Sequence, residues 1–376
     1  MKLNYQEVLK NVEALPSKED KLSTLDEYAG VFCEREKYLE AIELYCRALK
    51  YERTPNLLGY VHGQIGICYY HLHDDVNAEK YLTKAHKLFD PEKPKFMAEA
   101  FTLINFYLGS LYEYQGKSNK ALLARKACLP YIESQPRETQ LILFSGISRN
   151  LQELGRKADA IQFYQRAIGI ISGGDPGLIA LYQGVAHNHF ELGQYTEALQ
   201  NFQKILELDP NNERREDIFT YIAECYRRLT NYRQALETYL KVLEVREITD
   251  GKKGLAHILL EIALCYLQLR EFERSIEYCQ RALKERIKDR KQLAAIRAFL
   301  ADNYYEMQRY PEAIAAGQQS LKLAKVFRHS DMLVRNLALS HYKLGDYKNF
   351  RKYRDWYRKS SPDDGWNKYL DSLVSP

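Results

Sequence analysis

A chain of 376 residues in which 45% are hydrophobic, with only 19 Gly and 11 Pro, has ample apolar material for a core and the composition of helices joined by short turns. A formal charge of +5 is small for this length and excludes a chain-wide nucleic-acid footprint, and the lack of any run of about 18 apolar residues excludes a membrane span. Seven cysteines, an odd number with no CxxC pair, argue for free thiols in a reducing, cytoplasmic setting rather than a disulfide framework.

Residues 1–16 have no apolar leader core and read as an amphipathic leading helix that stops before Pro16. About nine helix–turn–helix units follow over residues 22–358. The first pairs a helix near 22–34 with one near 38–51, which carries Ala41-x3-Tyr45 and Ala48. The second spans about 59–88, with Gly66, Tyr69, Ala78 and Ala85. A Pro-containing loop at 90–96 leads to the third, with Gly109, Tyr112, a turn at Gly116, and Ala121. The fourth starts near Leu141 and holds Ser148, Gly155 and Ala160-x3-Tyr164. A loop at 172–177 leads to the fifth, which starts at Ile179 and turns at Gly193-Gln194. The sixth starts near Glu216, with Ala223, Tyr226 and Ala235-x3-Tyr239. The segment 249–254 leads to the seventh, with Ala263, Tyr266 and Ser275. The eighth has Ala301, Tyr304 and Ala313; the ninth, from Asp331, has Ala338 and Gly345 but Phe350 where the second helix otherwise carries a small residue. Residues 363–374 read as a capping helix.

Aligned on one register, the units lie 37–43 residues apart and repeat their small residues. The eighth position is Ala29, Gly66, Gly109, Ser148, Ala186, Ala223, Ala263, Ala301 and Ala338: small in every unit, as a close helix–helix approach requires. Position 20 is Ala at 41, 78, 121, 160, 198, 235 and 313, and position 11 is Tyr at 69, 112, 226, 266 and 304. Position 10 is Cys at 68, 225 and 265, where a small buried residue serves; equivalent positions of distant units should not meet to form disulfides.

The stretch 182–210 joins Tyr182, Val185-Ala186 and His189 to Ala198-x3-Phe202 and Pro210. It resembles the tetratricopeptide repeat, whose pattern is W-x2-L-G-x2-Y, then A-x3-F, then P. The resemblance implies one all-α domain over 1–376, a right-handed α-solenoid of about nine such units with terminal capping helices. It also implies a concave face, lined by the first helix of each unit, that holds an extended peptide or protein segment. Residues at positions 2, 5, 9 and 12 would face that groove, which selects Tyr70, Phe106, Arg149, Gln183, His187, Phe190, Arg227, Tyr305 and Arg335. Aromatic rings would anchor apolar side chains, and arginines would grip carboxylates at two points. The Lys–Asn pair of the chaperone-tail clamp is missing from every unit, so an acidic chaperone tail is not an expected ligand. The expected function is a non-enzymatic scaffold or adaptor with no cofactor. Lengthened units are similar to those of kinesin light chains and of bacterial peptide-sensing regulators of the Rap type. An alternative is therefore a peptide-gated regulator without a DNA-binding domain.

Other signals carry less. His187 and His189 lie two apart on a helix and point some 200° from each other, so they cannot share a metal ion; His71 and His73 sit at a turn. Gly173 and Gly174 lack the Lys-Ser/Thr of a phosphate loop and read as a turn. Residues 281–376 hold 20 Lys and Arg against 11 Asp and Glu. Within them, Phe350, Tyr353 and Tyr357 form an apolar stripe beside Arg351, Lys352, Arg354, Arg358 and Lys359. A solvated face is the plain reading of this patch, and a binder of RNA or an acidic surface is the second alternative.

Overall fold

The computed structural model describes residues 5–89, 98–171, 175–210, 214–248, 254–326, 330–362 and 364–373. Among them are twenty α-helices, one 3-10 helix and no strand, and no helix is long and apolar enough to cross a membrane. The loop read at 90–96, residues 172–174 and 249–253 of the two later loops, and the outer residues 363 and 374 of the cap lie outside the described residues. The helices cluster in two compact units, residues 1–194 and 195–376, where the sequence reading takes one domain. The boundary falls between the two helices of the fifth pair.

The first unit contains α1 (Tyr5–Glu13), α2 (Lys18–Glu34), α3 (Tyr38–Ala48), α4 (Pro55–His71), α5 (Asp75–Leu88), α6 (Ala98–Tyr114), α7 (Ser118–Lys126), the 3-10 helix η1 (Leu129–Ser134), α8 (Arg137–Glu153), α9 (Lys157–Ile170) and α10 (Gly177–Glu191). The second contains α11 (Tyr195–Leu208), α12 (Arg215–Arg228), α13 (Tyr232–Ile248), α14 (Leu255–Gln268), α15 (Phe272–Lys284), α16 (Arg290–Glu306), α17 (Tyr310–Leu323), α18 (Ser330–Lys343), α19 (Tyr347–Ser360) and α20 (Trp366–Ser372). Within each unit, the first (A) helix of a pair packs on its second (B) helix, and that B helix packs on the A helix of the next pair. This is the layered order of an all-α solenoid.

The periodic small residues make that packing. Ala29, Ser148, Ala186, Ala223, Ala263 and Ala338 are fully buried, as are Ala41, Ala78, Ala121, Ala160, Ala198 and Ala235. At Gly66 a methyl group would stand 2.9 Å from the backbone nitrogen of Leu82, so α4 and α5 touch almost backbone to backbone. In the seventh pair Ser275 replaces Ala at position 20, and its hydroxyl donates to the Ala263 carbonyl at position 8 (2.7 Å). The serine stays small and satisfies its own polar group.

Every pair turns at the fifteenth position, in the left-handed region. Glu36, His73, Thr230, Arg270 and Gln308 have φ between 58° and 62°, and Gly116, Gly155, Gly193 and Gly345 between 69° and 76°. The following N–H returns to the carbonyl five residues back, as in Lys37 to Phe32 (2.9 Å) and Asn231 to Tyr226 (2.8 Å). That bond satisfies a terminal carbonyl of each A helix and fixes where its B helix starts. In the first unit α1 buries Val8 and Val12 beside Phe32, and in the second α20 buries Leu370 beside Phe350, Tyr353 and Tyr357.

Candidate interaction surfaces on the A helices

In the first unit, Tyr60 and Gln64 of α4, Leu103 and Phe106 of α6, and Ile142 of α8 line a cavity of about 450 Å³. Leu103 and Ile142, on the A helices of adjacent pairs, are 43% and 49% exposed. Phe106 touches Tyr107 edge-on (5.5 Å), Tyr107 touches Tyr70 the same way (5.1 Å), and His71 lies between Tyr107 and a stacked Tyr38. Two of the selected residues, Phe106 and Tyr70, are thus joined through Tyr107. His71 bonds the Tyr107 hydroxyl through Nε2 (3.2 Å), and His73 occupies the left-handed turn.

Beside this aromatic row stands a charge relay that the sequence reading misses. Position 24 is an aromatic in A-x3-F, but in the third pair it is Arg125, and that side chain is fully buried. Its Nη1 donates to Asn150 Oδ1 (2.5 Å) and its Nη2 to Glu113 Oε2 (2.6 Å). A methyl at Gly109 would stand 2.9 Å from Arg125 Cγ, and one at Gly146 would stand 2.7 Å from its Nε. Two glycines therefore open the passage through which a B-helix arginine reaches the A-helix layer. Glu113 also receives Arg149 Nε at 3.4 Å, with the Arg149 side chain 60% exposed. An arginine at residue 125, where the other pairs of this unit carry Tyr45, Leu82 and Tyr164, is the signal that would have found it. On α10, Gln183, His187 and Phe190 are half-buried, and His187 Nδ1 donates to the Gln183 carbonyl (2.7 Å).

In the second unit Arg227 is held inside a network. Its guanidinium bonds Glu224 and reaches Glu261 at 3.2 Å, and Arg228 and Tyr239 also donate to Glu224 (2.8 and 3.1 Å). Burial raises the Glu224 pKa, but the hydrogen bonds from Arg227 and Arg228 outweigh it and hold the carboxyl at about 2. The selected Arg227 is therefore engaged with carboxylates of its own chain. Tyr305 is half-buried and tilted on Tyr310. Arg335 lies 4.4 Å over the Trp366 ring and donates to Asn336 Oδ1. In the basic helix, Arg354 pairs with Asp355 and Asp371, and Arg358 also bonds Asp371, so these two fasten α20. Arg351, Lys352 and Lys359 remain exposed.

The cysteines are all free thiols. Cys225 and Cys265 are fully buried, and burial pushes both to about 12. Cys33 and Cys68 lie 3.4 Å apart, sulfur to sulfur, at the non-equivalent positions 12 and 10 of adjacent pairs. The hydrogen bond from Cys68 lowers the pKa of Cys33.

Consecutive packed helix pairs with small residues at positions 8 and 20 define an all-α helical-repeat solenoid. The tetratricopeptide repeat model matches residues 177–248, 214–284 and 254–325. Residues 177–325 thus carry tetratricopeptide repeats, which generally mediate protein–protein interactions in proteins that are typically non-enzymatic scaffolds. Among solved structures, the chain resembles the C-terminal part of a TPR repeat-containing protein from Cytophaga hutchinsonii, at 20% identity and a TM-score of 0.50, covering 72% of this chain and 98% of that one. It also resembles a Signal Transduction ATPase with Numerous Domains protein with a tetratricopeptide repeat sensor from Pyrococcus horikoshii, at 14% identity and a TM-score of 0.55; the match covers 96% of this chain and 55% of that one. At these identities the likeness concerns the fold. No curated protein sequence matches.

Proposed function

We propose that this protein is a cytoplasmic scaffold or adaptor whose A-helix face in residues 1–194 receives an extended segment of a partner protein. The cavity between α4, α6 and α8 supports this reading most directly, because exposed Leu103 and Ile142 flank Phe106 over a space of about 450 Å³, room for more than one side chain of a bound segment. Burying such aliphatic surface contributes roughly 25 cal/mol per Å². Arg149 stands at the neighbouring Glu113 with most of its side chain in solvent, placed to pair with a carboxylate of the same segment. Tyr70 and Phe106 would hold apolar side chains, and Gln183, His187 and Phe190 would continue the contact along α10.

The test places a photo-crosslinking amino acid at Leu103 and, as a control, at Leu123, a 70% exposed residue of the B helix α7. After irradiation in native lysate with and without nuclease, the Leu103 variant should join one protein segment that Leu123 does not. Ile142→Arg in the same chain should abolish that adduct. An adduct that survives Ile142→Arg, or equal adducts from both positions, overturns the reading. Loss of all adducts on nuclease treatment would transfer the function to nucleic acid.

A further inference from the structure

The second unit holds a cavity of a different kind. It measures about 260 Å³ and lies among the A helices α14, α16 and α18, with Gln268, Arg270, Asp302, Glu306 and Arg335 in its wall. That is below the roughly 300–1,000 Å³ of sites that enclose whole small molecules and corresponds to one long side chain. Asp302 is 2% exposed; Asn336 donates to its Oδ1 (2.8 Å), and its buried Oδ2 has no partner among the described residues. A buried carboxylate oxygen without a partner costs free energy that an incoming donor would recover.

Among the described residues no cation bonds this oxygen. Arg335 spends its Nε and Nη2 on Asn336 Oδ1 and stacks on Trp366. Arg270 sits on a left-handed turn with its guanidinium 5.7 Å from the Phe272 ring. Exposed Glu306 adds a second carboxylate to the wall. We propose that this pocket binds a basic side chain, arginine or lysine, of a partner protein, with Asp302 accepting from its charged end and Glu306 at the mouth. That a protein carries the cation rests on the scaffold reading above; the pocket's preference for a cation does not.

The titration of Asp302 agrees with this chemistry. Burial pushes its pKa up to about 7, against the hydrogen bond from Asn336 and the charge of Arg335, while Glu306 pushes in the same direction as burial. The other groups facing it are the buried Cys279 thiol of α15 and Arg270 of the turn, and α14 presents only the uncharged Leu267 and Gln268. A bound cation takes the place of the proton. Affinity therefore rises as Asp302 ionises, by about tenfold between pH 6 and pH 8 for a midpoint near 7.

The probes are the capped tripeptide acetyl-Gly-Arg-Gly-amide, its norleucine counterpart, and agmatine, which carries the guanidinium without a peptide backbone. Each is titrated into the full chain labelled with carbon-13 at the aspartate carboxyls, the Asp302 signal being assigned by its loss in Asp302→Asn. The arginine tripeptide should lower the Asp302 midpoint by a unit or more and bind about tenfold tighter at pH 8 than at pH 6. The norleucine peptide should do neither, and Glu306→Gln should weaken binding severalfold with the fold intact. No response of Asp302 to the arginine peptide at pH 8, or undiminished binding by Asp302→Asn, overturns the proposal. If Asp302→Asn does not fold, Glu306→Lys decides: unchanged binding sinks it. Agmatine binding as tightly as the peptide assigns the pocket to a free small cation and overturns the partner assignment. A Leu103 adduct without an Asp302 response refutes this pocket alone, and the converse refutes the scaffold reading and the partner assignment that rests on it while leaving the cation pocket standing.

Discussion

Replacing Thr230 with glycine should stabilise the second unit, because this β-branched residue is held at φ of 59° between α12 and α13. The left-handed conformation costs a residue with a Cβ about 1–2 kcal/mol. Glycine escapes that cost but loses about 0.5–1 kcal/mol through its greater freedom in the unfolded chain. The net gain is about 1 kcal/mol, and nothing offsets it, since the Thr230 side chain is exposed. The mirror experiment is Gly193→Ala in the first unit, at φ of 76°, where an added methyl meets nothing within 4 Å. Its loss should therefore be the backbone term alone, again about 1 kcal/mol. A solenoid opens locally, so amide hydrogen exchange is the sharper assay. One kcal/mol is about a fivefold change in protection. Amides of α12 and α13 should gain it in Thr230→Gly, and amides of α10 should lose it in Gly193→Ala. If Thr230→Gly lowers protection, or Gly193→Ala leaves it unchanged, the shared left-handed turn is not what sets these helix ends.

Four further outcomes follow from the same geometry. Arg125→Ala should destabilise the first unit by about 3 kcal/mol by stripping a buried charge from Glu113 and Asn150; Gly146→Ala should cost about 1–3 kcal/mol in the native chain and little when Arg125 is already alanine, a coupling that thermal melts of the double-mutant cycle would measure. Brief alkylation of the native protein, read by peptide mass spectrometry, should label Cys46, which is exposed, and Cys33 before the buried Cys68, Cys128, Cys225, Cys265 and Cys279. Glu224 has a folded pKa lowered to about 2, so its contribution is present above the ordinary carboxylate range and is lost as pH falls from about 4.5 towards 2; acid denaturation of Glu224→Gln should lack that component. Asp302 has the opposite sign: its folded pKa is raised to about 7, so the native chain loses stability relative to Asp302→Asn as pH rises from about 4 to 7 and no further above that. Equal pH dependence of chain and variant would refute the burial argument at Asp302.

Most of the fold is legible in the sequence. The small residues at positions 8 and 20 recur because helix pairs can approach closely only there, and the structure buries them wherever they occur. The aromatic face is half legible. Phe106 and Tyr70 follow from helical spacing, but Tyr107, the ring that joins them, sits one residue outside the template. Spacing also selects Arg227 and Arg335 as outward cations, and neither is free: one is bound by Glu224 and Glu261, the other by Asn336 and Trp366. The nine left-handed turns show the limit at its simplest. Glycine marks four of them, whereas Glu36, His73, Thr230, Arg270 and Gln308 give no local sign of adopting the same angle.

What the sequence by itself determines is the repeat: its period, its helices, its turns and the residues that face each neighbour. These follow from contacts three and four residues apart, which any single unit repeats. What only the tertiary structure decides is which charged groups meet. Arg125 reaches Glu113 and Asn150 through Gly109 and Gly146, and Asp302 is left with an unpaired oxygen beside Arg335. Those outcomes depend on the offset between packed helices over gaps of 12 to 34 residues, and charge interactions change steeply over an ångström in a dry interior. Spacing along one helix carries no record of that offset, so the core is written in the repeat and the chemistry of its surfaces is not.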